Sequence, residues 1–259
     1  MIRMILKNGC GEILVQGEGR EGVELCAERV YQQGDVWEIH SDFPHLLLRM
    51  DTGLMPGEVY IPSQVMHWPV PSGEDRNAYA PGLFEMRRHF VSAHVMTEQA
   101  IHGERLISLN PSDLKGHTDF YPHCTANVET RSESCFAARN VIDGYRINHG
   151  HGEWPYQSWG IGTRQDARLR LEFGRTVEIS RVALTLRADF PHDAWWQSVR
   201  LRMSDGGEQI LELRKTDEAQ MFEPGTHRCR WVELDQLVKA EDPSPFPSLT
   251  QLDVYGRDP

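Results

Sequence analysis

Apolar residues along this chain recur mostly at every second position, in short runs separated by turn residues. Such alternation places one side of a strand against a core, whereas a helix needs apolar residues three or four positions apart. Helical spacing occurs in two short stretches, residues 98–104 and 234–240. The pattern therefore predicts an all-β fold of the sandwich or barrel type. The predicted strands are residues 11–15, 46–50, 58–61, 90–95, 169–173, 179–186, 199–203, 209–213, 230–234 and 251–255.

The segment SLNPSDLKG, residues 108–116, interrupts this alternation near the middle of the chain. Asn110 precedes a proline and is thereby restricted to extended conformations, and small polar residues follow. The segment divides the chain into residues 1–110 and 111–259, each of a usual size for a β-sandwich domain. We therefore predict two tandem β-sandwich domains of the jelly-roll type.

Composition narrows the possible partners and the compartment. The net charge of −11 argues against nucleic acid, which needs a basic surface. No run of apolar residues approaches the roughly 20 that cross a bilayer, and the first residues lack a continuous apolar signal segment. The prediction is a cytoplasmic chain with no membrane or nucleic-acid partner.

The cysteines do not indicate a metal site or a disulfide framework. Their number is odd, and they are scattered without a CxxC pair or a Cys/His zinc spacing. Free thiols are the expected state. The five are Cys10, Cys26, Cys124, Cys135 and Cys229.

Five motifs in the second half occur in a characteristic order: AARNVIDG at 137–144, LRLEFG at 169–174, VEISRVALTL at 177–186, VRLRMSDG at 199–206 and LDVYG at 252–256. In this order they resemble the galactose-binding-like fold, the jelly roll of discoidin and coagulation factor type C domains and of many carbohydrate-binding modules. The first half resembles the jelly-roll class more loosely, through residues 34–39 and 46–51. The resemblance implies that loops at one end of the second sandwich meet the ligand.

Many members of this family hold a structural calcium ion at the opening loop. Here Asp143-Gly144 continues as Tyr145-Arg146, without the second acid and the threonine of the family pattern. Calcium takes six to eight oxygen ligands, and Asp143 is the one obvious carboxylate. A calcium ion near Asp143 is therefore possible but not favoured, and we predict no cofactor and no metal.

Two loops expected at this end, residues 145–164 and 188–196, have a composition that suits a sugar. Tryptophan offers a flat apolar face to the C–H face of a pyranose, while His, Asp and Arg hydrogen-bond its hydroxyl groups. We predict a carbohydrate ligand that contacts one or more of these side chains. The candidates are His149, His151, Trp154, Trp159, Arg164, Asp189, His192, Trp195 and Trp196.

A plain structural interpretation competes for several of these residues. Adjacent tryptophans point to opposite sides of a strand, so at most one of Trp195 and Trp196 is expected to be exposed. Trp159, before a glycine at the start of a strand, is also a core candidate. The sequence Asp42-Phe43-Pro44-His45 recurs at residues 189–192, which favours a structural turn common to both domains.

Two other functions remain open. His149, His151 and Glu153 faintly resemble a cupin metal signature, but the spacing is short, and the glycines that flank His151 would leave such ligands unsupported. The same loops could instead bind a protein partner or form a homodimer. The leading prediction is a non-catalytic carbohydrate-binding protein. A protein-interaction module is the alternative, and a metal-dependent carbohydrate-active enzyme is less favoured.

Overall fold

A computed structural model describes residues 1–150, 152–188 and 194–259 of the chain. Strands dominate these residues, with one short α-helix and 3₁₀ segments at Gly73–Ala78, Thr130–Ser132, Ser134–Phe136 and Ala138–Ile142. The elements are β1 (Ile2–Lys7), β2 (Ile13–Gly19), β3 (Gly22–Glu28), β4 (Val36–Ser41), β5 (His45–Arg49), β6 (Gly57–Tyr60), β7 (Val65–Pro69), β8 (Arg88–Val95), α1 (Glu98–His102), β9 (Arg105–Leu106), β10 (His123–Ala126), β11 (Trp159–Gly160), β12 (Leu169–Leu186), β13 (Trp196–Met203), β14 (Glu208–Glu212), β15 (Gln220–Phe222), β16 (His227–Lys239) and β17 (Ser248–Arg257).

The first domain consists of two four-stranded antiparallel sheets. Their strand orders are β2-β1-β4-β7 and β3-β8-β5-β6. In β4 the buried and partly exposed positions alternate strictly, so Trp37 and Ile39 point into the core. The Trp37 indole donates to the Tyr31 hydroxyl at 3.0 Å, and this bond supplies the partner that a buried indole N–H needs.

The second domain is built on a larger antiparallel array in the order β11-β17-β12-β16-β13-β14, joined by β9, β10 and β15. Strand β12 is 18 residues long and pairs with different strands along its first and last parts. Its first part pairs with β10 and β16, and its last part pairs with β15 and β17. The register shifts between Glu172 and Val177, around Gly174, whose φ of +69° favours a glycine.

The prediction of an all-β chain with two β-sandwich domains is confirmed. The helix predicted at residues 98–104 is α1, capped by the Thr97 hydroxyl, which accepts from the Ala100 amide. The helix predicted at residues 234–240 is wrong, because β16 continues to Lys239. The apolar residues of this stretch have helical spacing. Strand pairing with β13 and the Arg200–Asp235 ion pair at 2.7 Å nevertheless hold it extended.

The segment that joins the domains contributes to both cores. Ile107 belongs to the core of the second domain, whereas Leu114 and Phe120 pack into the core of the first. Tyr121 then bridges to Tyr60 of the first domain through a pair of backbone hydrogen bonds. Residues 107–122 thus run between the sandwiches, around the predicted boundary. All five cysteines are free thiols. No helix in the described ranges has the length and hydropathy to cross a membrane.

Candidate functional site

Three loops of the second domain meet at one end of its sandwich. We call them L1 (residues 144–158), L2 (187–195, described at 187–188 and 194–195) and L3 (240–247). Backbone pairing of Gly160 with Ser248 joins the end of L1 to the end of L3. The Ala240 amide donates to the Trp195 carbonyl at 3.0 Å and joins L3 to L2. The structure thus places L1, L2 and L3 together at what we call the loop end.

L1 is fastened to β17 by two polar side chains. Arg146 forms a bidentate ion pair with the buried Asp253, at 2.8 and 2.6 Å. Asn148 donates to the Thr250 hydroxyl at 2.8 Å. Within the loop, the His149 amide donates to the Pro155 carbonyl at 2.7 Å. These bonds give L1 a defined conformation without a metal ion.

Arg187 links L1 to the end of β12. Its side chain is 3% exposed and donates to the carbonyls of Tyr156 and Gly150, at 3.1 and 3.2 Å. Its own amide donates to the Ser248 carbonyl at 2.9 Å. A buried guanidinium with several donors can hold two backbone segments together, and here it binds the carbonyl groups of Gly150 and Tyr156.

The aromatic surface of the loop end centres on Trp154. This indole is half-buried and lies edge-on to Tyr145, with ring centroids 5.1 Å apart and an interplanar angle of 80°. Among the described residues, its buried Nε1 has no hydrogen-bond partner. Trp195 is also half-buried and packs against the core of the second domain. Both tryptophans are partly exposed residues of the loop end.

Trp159 and Trp196 both lie inside the core, which corrects the prediction that they contact a ligand. Trp159 is 0% exposed and donates from Nε1 to the Val128 carbonyl at 2.9 Å. Trp196 is 1% exposed, with its ring centroid 6.1 Å from that of Trp159. Alternation along a strand predicts that one of Trp195 and Trp196 is buried, and in the structure Trp196 is the buried residue. Neither buried ring offers a face to a ligand in this conformation.

The remaining candidates have different positions. Arg164 lies between β11 and β12, where Asp166 holds its guanidinium at 2.6 and 2.7 Å. The other described hydrogen bonds of that segment join it to residues 127 and 130 rather than to L1, L2 or L3. His149 is exposed, and its ring makes no hydrogen bond to a described residue. His151, Asp189 and His192 lie outside the described residues.

Several residues of the loop end were not predicted from the sequence. Arg187 and Asn148 act through contacts with residues 31 to 102 positions away, for which the sequence carries no signal. Tyr145 was detectable, because it belongs to the same aromatic-rich stretch as Trp154. Ile147 and Phe246 expose 65% and 51% of their surface at the tips of L1 and L3. They are exposed apolar side chains on L1 and L3.

Asp143, at the base of L1, has a different environment from that of a calcium ligand. It is 2% exposed, and Oδ1 accepts the Tyr145 amide at 2.9 Å. Its Oδ2 lies 3.9 Å from the guanidinium of Arg139. Burial outweighs the positive charge of Arg139 and raises the pKa of Asp143 to about 7. A cation next to a largely desolvated carboxyl does not fit a calcium site.

His45, Glu58 and Asp258 bring metal-binding side chains within 4.8 Å of one another at the domain boundary. Two arginines already occupy this cluster. Arg105 contacts Glu58 at 2.6 Å and Asp258 at 2.9 Å, and Arg175 contacts the same two carboxylates at 2.7 and 2.6 Å. The carboxylates are thus neutralised by guanidinium groups, and the cluster is an ion-pair network between the domains.

Known proteins were compared with the chain by sequence and by structure. No family model and no curated protein sequence matches it. Among solved structures, it is similar to the family 32 carbohydrate-binding module of Clostridium perfringens NanJ in complex with galactose, with 16% identity, a TM-score of 0.39, and coverage of 51% of this chain and 91% of that one.

Two further modules are also similar to the chain. One is a chitosan-binding module of a Paenibacillus chitosanase/glucanase, with 15% identity, a TM-score of 0.40, and coverage of 59% of this chain and 99% of that one. The other is a fucose-binding module of Streptococcus pneumoniae, with 12% identity, a TM-score of 0.40, and coverage of 58% and 97%. These three solved structures are carbohydrate-binding modules.

Proposed function

We propose that this chain binds carbohydrate, without catalysis of its own, at the loop end of the second domain. The observation that carries the proposal is the placement of Trp154. Its half-buried ring is held by Tyr145, on a loop whose backbone is fixed by Arg187. A rigid, partly exposed indole is the surface on which the apolar face of a sugar ring stacks.

Polar groups beside this ring complete the chemistry that a sugar requires. His149 and Glu153 are exposed on L1, within a few residues of Trp154. The imidazole and the carboxylate offer a donor and acceptors to hydroxyl groups. Trp195 provides a second half-buried aromatic side chain on L2. In this proposal the histidine acts by hydrogen bonding, and no metal ion takes part.

The experiment is a glycan-array screen of the purified chain, repeated after EDTA treatment and after addition of calcium or zinc. Binding to one class of sugar that survives EDTA supports the proposal. Binding that requires calcium or zinc contradicts the metal-free part of it. Absence of binding in every condition, for a chain shown to be folded by circular dichroism, overturns it.

Two matched tryptophan variants locate the site. Trp154→Ala is expected to abolish or strongly weaken array binding. Trp231→Ala removes another half-buried tryptophan, which stacks on Arg170 at 4.1 Å on strand β16, outside L1, L2 and L3. This control is expected to retain binding. Equal loss in both variants would indicate a general effect on folding.

A protein partner or a second copy of the chain is the alternative use of the same surface. The observation that favours it is the exposure of Ile147 and Phe246 at neighbouring loop tips. Apolar side chains in such positions are typical of interface anchors. Sedimentation equilibrium of the chain and of Phe246→Ser tests the second copy. A dimer that the variant disrupts would favour this use over sugar binding.

A further inference from the structure

A cleft of about 220 Å³ lies between the two domains, outside the loop end. The first domain contributes Pro69 to Ser72 and Tyr79 to its walls, and the second domain contributes Leu114, Lys115 and Arg139. Domain boundaries are preferred places for small-molecule sites. The volume is below the roughly 300–1,000 Å³ of sites for drug-sized ligands, so an occupant must be compact.

Arg139 is the dominant charge of this interdomain cleft. It is 4% exposed and donates to the carbonyls of Asp113 and Pro111 and to the Asn140 side chain, at 2.9, 3.0 and 3.1 Å. These three bonds use three of the five N–H groups of a guanidinium. Among the described residues, the other two have no hydrogen-bond acceptor. Arg139 thus retains unused donors, although it is buried.

Among the described residues, no carboxylate lies within hydrogen-bonding distance of the Arg139 guanidinium. The nearest carboxylate oxygen is Oδ2 of Asp143, at 3.9 Å, and burial raises the pKa of that carboxyl to about 7. Asp113 is nearby, but its carboxylate accepts from the His123 ring at 2.7 Å and from the Cys124 amide at 3.0 Å. A buried cation without a close ionised partner is costly, and a bound anion would remove that cost.

Tyr79 provides a second polar group next to Arg139. Its ring lies under the guanidinium, 4.7 Å from Cζ, and the residue is 6% exposed. Among the described residues, the buried Tyr79 hydroxyl has no hydrogen-bond partner. Buried polar groups are nearly always paired, so an unpaired hydroxyl in a cleft wall points to a ligand with a polar atom there.

The rest of the cleft wall is apolar except for the polar residues Ser72, Asp75, Lys115, His117 and Ser134. Pro69, Val70 and Pro71 form one side, and Leu114 and Ala137 belong to the other. An inorganic anion alone would leave these surfaces uncovered, whereas a small apolar group would pack against them. The wall therefore favours an organic anion over free phosphate.

We propose that the interdomain cleft binds a compact organic anion, in which one carboxylate meets Arg139 and Tyr79 and a small apolar body lies against Pro69 to Pro71. A guanidinium matches a carboxylate in geometry and charge, which accounts for the choice of acidic group. The inference does not depend on the proposed sugar site, which lies on other loops and uses other residues.

The test is calorimetric titration of the full chain with benzoate, benzamide and inorganic phosphate. Benzamide retains the ring of benzoate but has no charge, and phosphate retains the charge but has no apolar body. Benzoate is expected to bind about tenfold or more tightly than either, because hydrogen bonds to a charged group are stronger than neutral ones. Equal binding of benzoate and benzamide, equal binding of benzoate and phosphate, or no binding at all would each overturn the proposal.

Three variants link the binding to the cleft. Tyr79→Phe keeps the ring and removes the unpaired hydroxyl, and it is expected to weaken benzoate but not benzamide. Arg139→Gln is expected to abolish the preference for benzoate. Since Arg139→Gln risks misfolding, Ser72→Phe provides an independent test by narrowing the cleft from its partly exposed side. Arg170→Gln, on β12, is the control and is expected to bind benzoate as the unmodified chain does. Unchanged benzoate binding in both Ser72→Phe and Tyr79→Phe would place the ligand elsewhere and contradict the proposal.

Discussion

The guanidinium of Arg175 and the carboxylate of Glu58 lie 2.7 Å apart across the boundary between the two domains. Arg175 belongs to β12 of the second domain, and Glu58 belongs to β6 of the first. Each side chain is 8% exposed. Arg105 and Asp258 extend the pair into a network in which two arginines face two acids. The relative position of the sandwiches is therefore set by buried charges as well as by apolar packing.

Removal of one member of this network is expected to destabilise the chain strongly. Arg175→Met leaves Glu58 and Asp258 with less compensation in a buried position, which costs about 3–5 kcal/mol for a broken buried pair. Guanidinium denaturation gives the free energy of unfolding. Arg168→Met changes an exposed arginine immediately before β12. It is expected to alter the free energy of unfolding by no more than about 0.5 kcal/mol. A similar small change in Arg175→Met would show that the network does not hold the domains.

The network also predicts sensitivity to acid. Burial favours protonation of Glu58, but hydrogen bonds from Arg105, the His45 ring 3.5 Å away and the charge of Arg175 outweigh it and lower its pKa to about 2. A lowered pKa contributes stability above the unfolded value of 4.5, and that stability is lost as the pH falls towards about 2. Glu58→Gln is expected to have a lower free energy of unfolding at neutral pH and a shallower pH dependence in this window. Urea unfolding at several pH values measures both, and parallel curves for the two proteins would contradict the assignment.

The raised pKa of Asp143 predicts that stability depends on pH in the direction opposite to that of Glu58. Its pKa is raised to about 7 from an unfolded value of 3.8, so the folded chain binds more protons than the unfolded chain between these values. The contribution to stability is present at low pH and is lost as the pH rises through this window. Asp143→Asn keeps an oxygen for the Tyr145 amide and is expected to remove this slope. Thermal unfolding across the window provides the measurement. A slope unchanged by the substitution would show that another group titrates.

A close approach between the domains occurs at Gly144. Its φ is +91°, and an added Cβ would meet the Met55 methyl group and lie 2.9 Å from Leu109 Cδ1. Gly144→Ala is expected to cost more than about 1 kcal/mol, since backbone strain and overlap add. Gly152→Ala is matched for positive φ, at +84°, but its Cβ would have no atom of a described residue within 4 Å. Chemical denaturation of both variants separates the two effects. An equal cost would mean that the contact with Met55 and Leu109 is easily relieved.

Arg187 is expected to act as a positioning residue for the proposed sugar site. Arg187→Met removes the donors to Tyr156 and Gly150 and is expected to release L1, weakening sugar binding by about tenfold. Hydrogen exchange of the L1 amides gives a readout separate from affinity. The prediction is wrong if affinity falls while exchange of L1 is unchanged. Trp195→Ala, in contrast, is expected to reduce affinity and leave L1 exchange unaltered.

The strands were predictable because each packs one side on a core. In β13, Val199, Leu201 and Met203 are buried and alternate with less buried positions, and the sequence carries that pattern directly. The end of β16 was not predictable, because Asp235 is held extended by Arg200, a residue 35 positions earlier. Local spacing does not contain such a pair.

The candidate site was likewise predictable in part from the sequence. The aromatic content of L1 is visible in the sequence. Which tryptophans are buried depends on strand register, so the sequence indicated a core position as an alternative for Trp159 and for one of Trp195 and Trp196 but did not decide which of that pair is buried. The role of Arg187 depends on carbonyl groups of a distant loop, and carbonyl groups are the same at every residue.

The segment of residues 107–122 has a practical consequence for taking the protein apart. A fragment cut at residue 111 would carry Leu114 and Phe120 away from the core that they fill and would leave a gap in the other half. Neither half would then be a clean building block for grafting onto another protein. The two sandwiches have separate sheets, but the segment that joins them contributes side chains to both cores. The two sandwiches would therefore have to be transplanted together.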